Sequence, residues 1–300
     1  MRIILTLVVA LSLTACDTTE TDTPPDSPAA VATDISVEAS SADNVARSSG
    51  YADLEGAVIN YEYHGFGGFY VKIFGETMRW RGFKGIGLDI VNEVNPVTSK
   101  VADGVYFISW PTGPDEGDNV VYNLNTMEVF AHLGGGAQFA PISGPIHCWQ
   151  SPECNEPSGA LTDGPTTMAQ MAANAENAGV SMEEVMAGQA GPADAAGEAA
   201  LSGKTLVLKT SEGRLSVSIN GDQTTAQLAD RPATTHTTYA TRIANGIYFV
   251  SWDNGRAGNH LVVNTLSLKA YDHILADHSR AEAIYDLVCF DNTEICTSAN

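Results

Sequence analysis

A seven-residue segment, Gly-Val-Tyr-Phe-Ile-Ser-Trp at Gly104–Trp110, returns as Gly-Ile-Tyr-Phe-Val-Ser-Trp at Gly246–Trp252. Two near-identical copies this far apart predict two copies of one structural unit, which fixes the architecture before any other pattern is weighed. Read at a period of two, Tyr106, Ile108 and Trp110 share one face and Phe107 and Ser109 the other. Each copy is therefore expected to be a β-strand covered on both faces. Tyr248 and Trp252 stand in the second copy where Tyr106 and Trp110 stand in the first.

The correspondence runs well past the strand. Val121-Tyr-Asn123 and Val129-Phe-Ala-His132-Leu are answered by Val262-Val-Asn264 and Ala270-Tyr-Asp-His273-Ile. His132 lies sixteen positions before Cys148, and His273 sixteen before Cys289. Leu54-Glu-Gly56 opens one copy and Leu201-Ser-Gly203 the other. Two homologous β-domains of roughly 100 residues each are expected, a usual size for one hydrophobic core.

Ahead of the repeats, Met1-Arg-Ile carries one positive charge before the apolar run Ile3–Leu13, which ends at Leu13-Thr-Ala-Cys16. The run is too short to span a bilayer, which takes about 20 apolar residues, so residues 1–16 read as a secretory signal. The Leu-Thr-Ala-Cys ending resembles the bacterial lipobox, whose cysteine becomes the lipidated N-terminus. Asp17 behind it resembles the signal that retains such lipoproteins in the inner membrane of some bacteria. The expected location is the cell envelope, anchored at Cys16 and facing the periplasm. Residues 17–50 are mostly Thr, Ser, Ala, Pro, Asp and Glu, with Arg47 as the single basic residue and no aromatic. Such a segment buries too little apolar surface to offset its ordering entropy and is expected to be a disordered tether.

The chain sets 15 Lys and Arg against 36 Asp and Glu, a formal net charge of −21. That argues against nucleic acid as a partner, since such binding draws on clustered basic side chains facing phosphates. The acidity is read as solubility of an exported protein.

In the first domain, residues 51–155, strands are expected at Ala57–Tyr63, Phe69–Phe74, Thr77–Trp80, Leu88–Val94, Val105–Trp110, Val120–Leu124 and Glu128–Leu133. Gly-rich turns join the first of them, and Pro111–Asp118 reads as a loop. Residues 156–200 shift to Ala, Gly, Pro, Met and Glu and form a linker. Short helices are expected there at Met168–Glu176 and Ser181–Met186, the second with Ser181 and Glu184 in capping-box positions. The methionine stripe of this linker reads as a small apolar face lying on a neighbouring domain, ahead of a metal or partner site. In the second domain, 201–300, strands are expected near Lys204–Thr210, Arg214–Ile219, Gln223–Leu228, Gly246–Trp252, His260–Val263, Lys269–Ile274 and Ile284–Phe290. Many short antiparallel strands without βαβ alternation imply an all-β sandwich or up-and-down barrel.

Setting Cys16 aside, four cysteines remain, placed as Cys148/Cys154 and Cys289/Cys296 at the end of each repeat. Four cysteines allow three pairings; repeat symmetry selects Cys148–Cys154 and Cys289–Cys296, staples suited to an oxidising compartment. A metal site from them lacks the Cys-x2-Cys spacing of zinc sites.

Residues for chemistry are few. His132 and His273 occupy matched positions and are candidates for ligand contact or acid–base work, although each sits in an apolar strand, where a histidine with a satisfied ring is the plainer reading. No Gly-x-Ser-x-Gly elbow, phosphate loop, dinucleotide fingerprint or His-Glu-x-x-His is present. No cofactor and no metal is expected. The cluster Tyr61, Tyr63, Arg79, Trp80, Arg81 and Trp110 suits an aromatic or apolar ligand carrying a carboxylate, if the arginines face inward. Core aromatics with arginines on the outer face are the competing reading.

Leu54-Glu-Gly56 leading to Tyr61-Glu-Tyr63, then Met78-Arg-Trp80-Arg, then Asp103-Gly-Val-Tyr-Phe-Ile-Ser-Trp110, resembles the calycin-like barrels of the molybdenum cofactor biosynthesis protein F (MoaF) group, in its tandem two-domain form. Bacterial phenolic acid decarboxylases are more distant relatives of that pattern. The resemblance implies two tandem lipocalin-like antiparallel β-barrels joined by a partly helical linker. In the decarboxylases a Tyr-x-Tyr pair, an arginine and a glutamate line the cavity. Tyr61 and Tyr63 match the pair, whereas the glutamate position falls at Pro111–Thr112 and the arginine segment has no counterpart around Gly87–Asp89. Three readings follow. The favoured one is a non-catalytic, membrane-tethered binder of a small ligand through Tyr61, Tyr63, Trp80, Arg81, Tyr106, Trp110, His132, Tyr248, Trp252 and His273. The second is a decarboxylase- or isomerase-type enzyme using Tyr61, Tyr63 and Arg81, and the third an envelope interaction module without ligand.

Overall fold

The computed structural model describes residues 48–113, 116–133, 140–181, 184, 195–252, 259–276, 279–292 and 295–296. Cys16, the tether up to residue 47 and most of the expected helix at Ser181–Met186 lie outside the described residues. Ser181 and Glu184 do form the reciprocal capping pair, with Ser181 N donating to Glu184 Oε2 at 2.8 Å and Glu184 N to Ser181 Oγ at 3.1 Å.

The first repeat opens with a single helical turn, α1 (Tyr51–Leu54). Nine strands follow: β1 (Val58–Tyr63), β2 (Gly67–Phe74), β3 (Thr77–Gly85), β4 (Val91–Val94), β5 (Val97–Ala102), β6 (Val105–Gly113), β7 (Glu116–Asn123), β8 (Glu128–Leu133) and β9 (Ala140–Trp149). They form one curled antiparallel sheet in the order β4-β3-β2-β1-β9-β8-β7-β6-β5. After α2 (Gly164–Asn177) and α3 (Ala195–Leu201) come β10 (Lys204–Thr210), β11 (Gly213–Asn220), β12 (Gln223–Leu228), β13 (Thr234–Ala244), β14 (Ile247–Trp252), β15 (Asn259–Asn264), β16 (Lys269–Ala276) and β17 (Ser279–Asn292). These eight close into a barrel in chain order. The all-β barrel architecture expected from the repeat is therefore present, but only the second repeat closes; the first, expected as a barrel too, is a curled sheet with its edges at β4 and β5.

Three strands went unread in the sequence. β9 contains Pro141, Gly144 and Pro145, which argue against a strand flanked on both sides; it nevertheless pairs with both β1 and β8, its run against β1 broken by a bulge at Asn60/Tyr61. β5 and β13 are rich in Ser, Thr, Lys and Arg and offered little apolar alternation. The stretch Pro111–Asp118, expected as a loop, is instead mostly the ends of β6 and β7.

The sheet of the first repeat is open because one strand is split. β13 pairs with β12 through Thr234–Thr237 and with β14 through Thr238–Ala244. In the first repeat β4 takes the pairing with β3 and β5 the pairing with β6, and Asn95-Pro96 separates them. Matching registers through Ser109 and Ser251 place Pro96 where Thr238 stands. Proline has no N–H, while the amide of Thr238 donates to Asp222 O at 2.8 Å, so the bond that would carry the ladder across the seam is missing in the first repeat.

Period-two alternation gives each organising strand two different neighbours. Tyr106, Ile108 and Trp110 enter the first sheet's core with Ile59, Tyr61, Tyr63, Phe69 and Tyr122. Tyr248, Val250 and Trp252 enter the second barrel's core with Leu206, Leu208, Leu215 and Leu287. The opposite faces, Val105 and Phe107 on β6 and Ile247 and Phe249 on β14, meet each other in a third cluster with Val101, Val121, Phe130, Ile243, Val262 and Tyr271. Leu54 of α1 and Leu201 of α3 are both fully buried plugs in their cores. Helix α2 lies on the first sheet through Met171 and Ala175, and Asn174 Nδ2 bonds to Ile86 O and Leu88 O at 2.8 and 3.0 Å. Gly82 is required by a close approach: a Cβ there would collide with the Gly87 carbonyl as the chain doubles back after β3. Disulfides join Cys148 to Cys154 and Cys289 to Cys296, each with a Cα separation of 5.6 Å.

Candidate functional site

Inside the first sheet, β1 contributes Tyr61 and Tyr63, because residues two apart on a strand face the same way. Their rings meet edge-on with centroids 5.1 Å apart, and Tyr61 lies 5.6 Å from Tyr122 of β7. Phe69 of β2 touches both β1 tyrosines, at 5.7 and 6.1 Å, and Trp80 of β3 stands edge-on to Phe69 at 5.8 Å. The three tyrosines are buried, and among the described residues the hydroxyls of Tyr63 and Tyr122 have no neighbour to bond but the Tyr61 hydroxyl, which interacts with both. Loss of water pushes all three phenols well above the ordinary tyrosine value. The charge of Asp118 near the end of β7 adds to the rise at Tyr61 and Tyr63. These groups are hydrogen-bond donors at neutral pH. Tyr122 and Asp118 were not among the residues singled out from sequence; the alternation of β7, with Val120 and Tyr122 on the inner face, was the signal available.

Arg81 is not part of this constellation. It follows Trp80 on β3 and so projects from the opposite face, half exposed, where it lies 3.6 Å from Asp89. Arg79 shares that outer face, hydrogen-bonds to Glu93 and stacks over the Phe74 ring. Tyr106 and Trp110 do face inward, but the Tyr106 hydroxyl is occupied by Asp53 Oδ2 at 3.0 Å, and Asp53 is in turn held by Lys100 at 2.9 Å. Tyr248 and Trp252 line the second barrel, so the ten residues proposed from sequence divide among four places: the first sheet's interior, its outer face, the second barrel and the contact between the repeats.

His132 and His273 lie in neither barrel. They sit at the contact between the two repeats in a reciprocal arrangement. His132 Nδ1 meets Ser251 Oγ at 2.6 Å and its Nε2 meets Thr241 Oγ1 at 3.0 Å. His273 Nδ1 meets Ser109 Oγ at 2.8 Å and its Nε2 meets Ser99 Oγ at 2.8 Å. His132 stacks on Phe249 at 3.9 Å and His273 on Phe107 at 4.1 Å. Asn123 Nδ2 donates to Ile243 O and Asn264 Nδ2 to Val101 O, both at 3.0 Å. Each contact is the repeat-swapped image of the other, so the two repeats pack about a local pseudo-twofold axis.

One half of this contact contains a serine, a histidine and a carboxylate, since Ser99 Oγ also hydrogen-bonds to Glu282. Its order is wrong for nucleophilic catalysis. A triad places the histidine between nucleophile and carboxylate. Here both ring nitrogens of His273 face serines, and Ser99 and His273 are almost completely buried. Ser109 donates its hydroxyl hydrogen to Asn119 Oδ1 at 2.9 Å and Ser99 donates its own to Glu282, so neither serine presents its hydrogen to His273 as a nucleophile would to its base. The group is a structural joint.

No group of three or more His, Cys, Asp or Glu positioned to hold a metal ion occurs among the described residues. No helix among them is long and apolar enough to cross a membrane.

No protein-family model matches this sequence, and no curated protein matches it. A solved structure from Burkholderia vietnamiensis, described as that of a candidate beta-lactamase, is similar to part of the chain. Identity is 17%, with 31% of this chain and 93% of that chain covered, at a TM-score of 0.28. A likeness at that score carries no argument about this chain's chemistry.

Proposed function

We propose that this chain is a non-catalytic binding protein of the cell envelope whose first, curled sheet takes up a small apolar or aromatic molecule through a single hydrogen-bond acceptor. The observation that carries the reading is the buried cluster of the Tyr61, Tyr63 and Tyr122 hydroxyls, in which Tyr63 and Tyr122 have, among the described residues, no neighbour to bond but the Tyr61 hydroxyl they share. A buried polar group left unpaired costs about 1–3 kcal/mol, and a ligand oxygen placed between the two would recover part of that. Aromatic walls from Phe69, Trp80 and Trp110 supply the apolar contact usual for such sites. The negative charge of Asp118 favours a neutral acceptor, such as a ketone or aldehyde oxygen, over a carboxylate.

Membership of the tandem MoaF-like group is part of the same proposal. It rests on the Tyr61/Tyr63 pair, Met78-Arg-Trp80-Arg and the Ser109-Trp110 strand end, carried on a barrel architecture. The enzyme reading loses support because Arg81 lies on the outer face, and because phenols raised by burial are poor bases at neutral pH. Anchorage at Cys16, facing the periplasm, is proposed from the lipobox-like ending alone. Changing Cys16→Ser should shift the protein from the membrane to the soluble fraction; acylated, membrane-bound Cys16→Ser product would refute the anchor.

Binding is tested with acetophenone, a neutral aromatic ketone, titrated against tryptophan fluorescence. Saturable quenching is expected, weakened about tenfold by Tyr63→Phe. The same substitution should change stability little, because it deletes a buried hydroxyl whose one neighbour, Tyr61, keeps Tyr122. 4-Hydroxycinnamate should bind more weakly than acetophenone and release no carbon dioxide. Turnover abolished by Tyr61→Phe or Tyr63→Phe with folding intact would replace this reading by the enzyme; no saturable binding by wild-type protein would favour the interaction module.

A further inference from the structure

The interior of the first sheet is shut at one end by its own chain and at the other by the linker. At the end where β1 begins, Leu54 of α1 is fully buried in the core and plugs it. The opposite end is made by the β1–β2 and β3–β4 connections, where Ile86 N donates to Phe66 O at 3.2 Å. Tyr63, the last residue of β1, and Asp118, near the start of β7, lie at this end. Helix α2 is seated on it. Ala175 is 1% exposed and belongs to the same apolar cluster as Tyr61, Tyr63, Phe66 and Ile86, and Met171, one turn earlier, packs against that cluster. Beside them Asn174 Nδ2 donates to Ile86 O at 2.8 Å and to Leu88 O at 3.0 Å, while its Oδ1 accepts from Gln170 Nε2 at 2.8 Å.

The second barrel has the plug without the cover. Leu201 of α3 fills the end where β10 begins, and it is the one helix residue, among the described residues, that joins the second core. The turn after β12 corresponds to the turn after β3, since Val217 pairs with Ala226 as Val71 pairs with Trp80. Ala229–Ala233 in that turn are exposed throughout, whereas Ile86, Gly87 and Ile90 in the first repeat are buried. A repeat of this kind therefore folds without anything over its far end. The cover is an addition to the repeat that contains the tyrosine cluster.

The seat of α2 is slight and its integrity is its own. Met168-Ala-Gln-Met-Ala-Ala-Asn-Ala-Glu176 is rich in alanine, the strongest helix former. Past its C-terminus Gly179 takes a left-handed conformation, φ +76°, with Gly179 N donating to Glu176 O at 2.8 Å and Val180 N to Ala175 O at 3.1 Å, which closes the helix without help from the sheet. Against the sheet it sets one alanine, one half-buried methionine and one amide. An element with so few buried contacts opens at a far lower free energy than the whole fold. Its entry side is fixed, because Thr162 N donates to Val91 O at 2.8 Å and Val91 N to Thr162 Oγ1 at 3.2 Å. We infer that α2 is a lid on the first sheet's interior. With Thr162 held on β4, the helix lifts as a unit, the two Asn174 bonds break, and a small molecule passes Ile86 to reach the tyrosine cluster. The inference rests on the reading of that interior as a binding site and adds the step that limits entry and exit.

The test uses the full chain and has one arm without ligand and one with acetophenone. Ile86→Cys places a thiol under the lid on the sheet side, and Ala175→Cys places one on the helix side as a second reporter. Alkylation of each by iodoacetamide is followed by peptide mass, which separates it from any other thiol. Both should react at a rate that barely changes in urea below the unfolding transition, and adding Asn174→Ala should raise that rate about tenfold through loss of the latch. In stopped-flow fluorescence Asn174→Ala should speed acetophenone association and dissociation together, so that affinity changes far less than either rate, whereas Tyr63→Phe should speed dissociation alone. Alkylation that follows global unfolding only, or that Asn174→Ala leaves unchanged at both reporters, would overturn the lid and make α2 a fixed cap. Should the thiols respond as expected while wild-type protein binds no acetophenone, the opening stands and the binding reading falls, so the two are decided separately.

Discussion

Phe249→Ala is expected to destabilise the chain by about 4 kcal/mol, within the range of roughly 3–5 kcal/mol for removing a buried phenylalanine side chain. Phe249 is completely buried, stacks on His132 at 3.9 Å and packs 5.6 Å from Phe107 across the pseudo-twofold axis. Neighbouring strands hold the backbone on both sides, so the void cannot collapse easily, and the imidazole of His132 would lose the ring that covers it. Phe107→Ala should cost the same within about 1 kcal/mol, because its environment is the repeat-swapped copy, with His273 stacked at 4.1 Å. Urea denaturation followed by tryptophan fluorescence measures both. Costs below about 1 kcal/mol for the two variants would show that this contact does not hold the repeats together.

Acidification from pH 6.5 to pH 5 is expected to lower stability by about 1.4 kcal/mol per pH unit, the slope of one net proton taken up on unfolding. Burial holds His132 and His273 well below the ordinary histidine value, helped by the positive charges of His260 at both and Arg280 at His273. Glu282, reached through Ser99, opposes this at His273; complete burial of the ring and the nearer Arg280 outweigh it. A base depressed in the folded state contributes stability that is complete above its unfolded pKa, near 6.5, and is lost as pH falls below it. Two such histidines alone would give about 2.7 kcal/mol per unit. Asp272 works in the opposite direction. Its folded carboxyl sits at about 7, above the unfolded value, so the folded state holds one more proton through this window and cancels one histidine. Asp272→Asn should therefore roughly double the acid slope while leaving the ordering at pH 8 to packing alone. Urea midpoints measured at half-unit steps decide it, and a flat profile between pH 5 and 6.5 would show that the imidazoles are not held neutral.

Much of the architecture was legible because it is written twice. The Gly104–Trp110 and Gly246–Trp252 copies, the matched histidines and the matched cysteine pairs required only comparison of the chain with itself. Period-two alternation then separated Tyr106, Ile108 and Trp110 from Phe107 and Ser109. Strands β5, β9 and β13 were missed where local chemistry argues against pairing, as with Pro141 and Pro145, and tertiary neighbours overrode it.

By itself the sequence determined that there are two homologous β-units with covered strands and local disulfides, since repetition, alternation and cysteine placement are all properties of the chain read along its length. Only the tertiary structure decided which neighbour covers each face. Alternation says that Phe107 and Ser109 are apart from Tyr106, but not that the outer face of β6 meets the outer face of β14. That pairing joins residues more than a hundred positions apart and turns His132 and His273 into a joint. The same holds for Arg81, sent outward by the side chain of Trp80 going in, and for Asp272, whose inward aim follows from which face of β16 the barrel closes over. Hydrophobic pattern fixes the period of a strand; closure of the sheet in space chooses the inside.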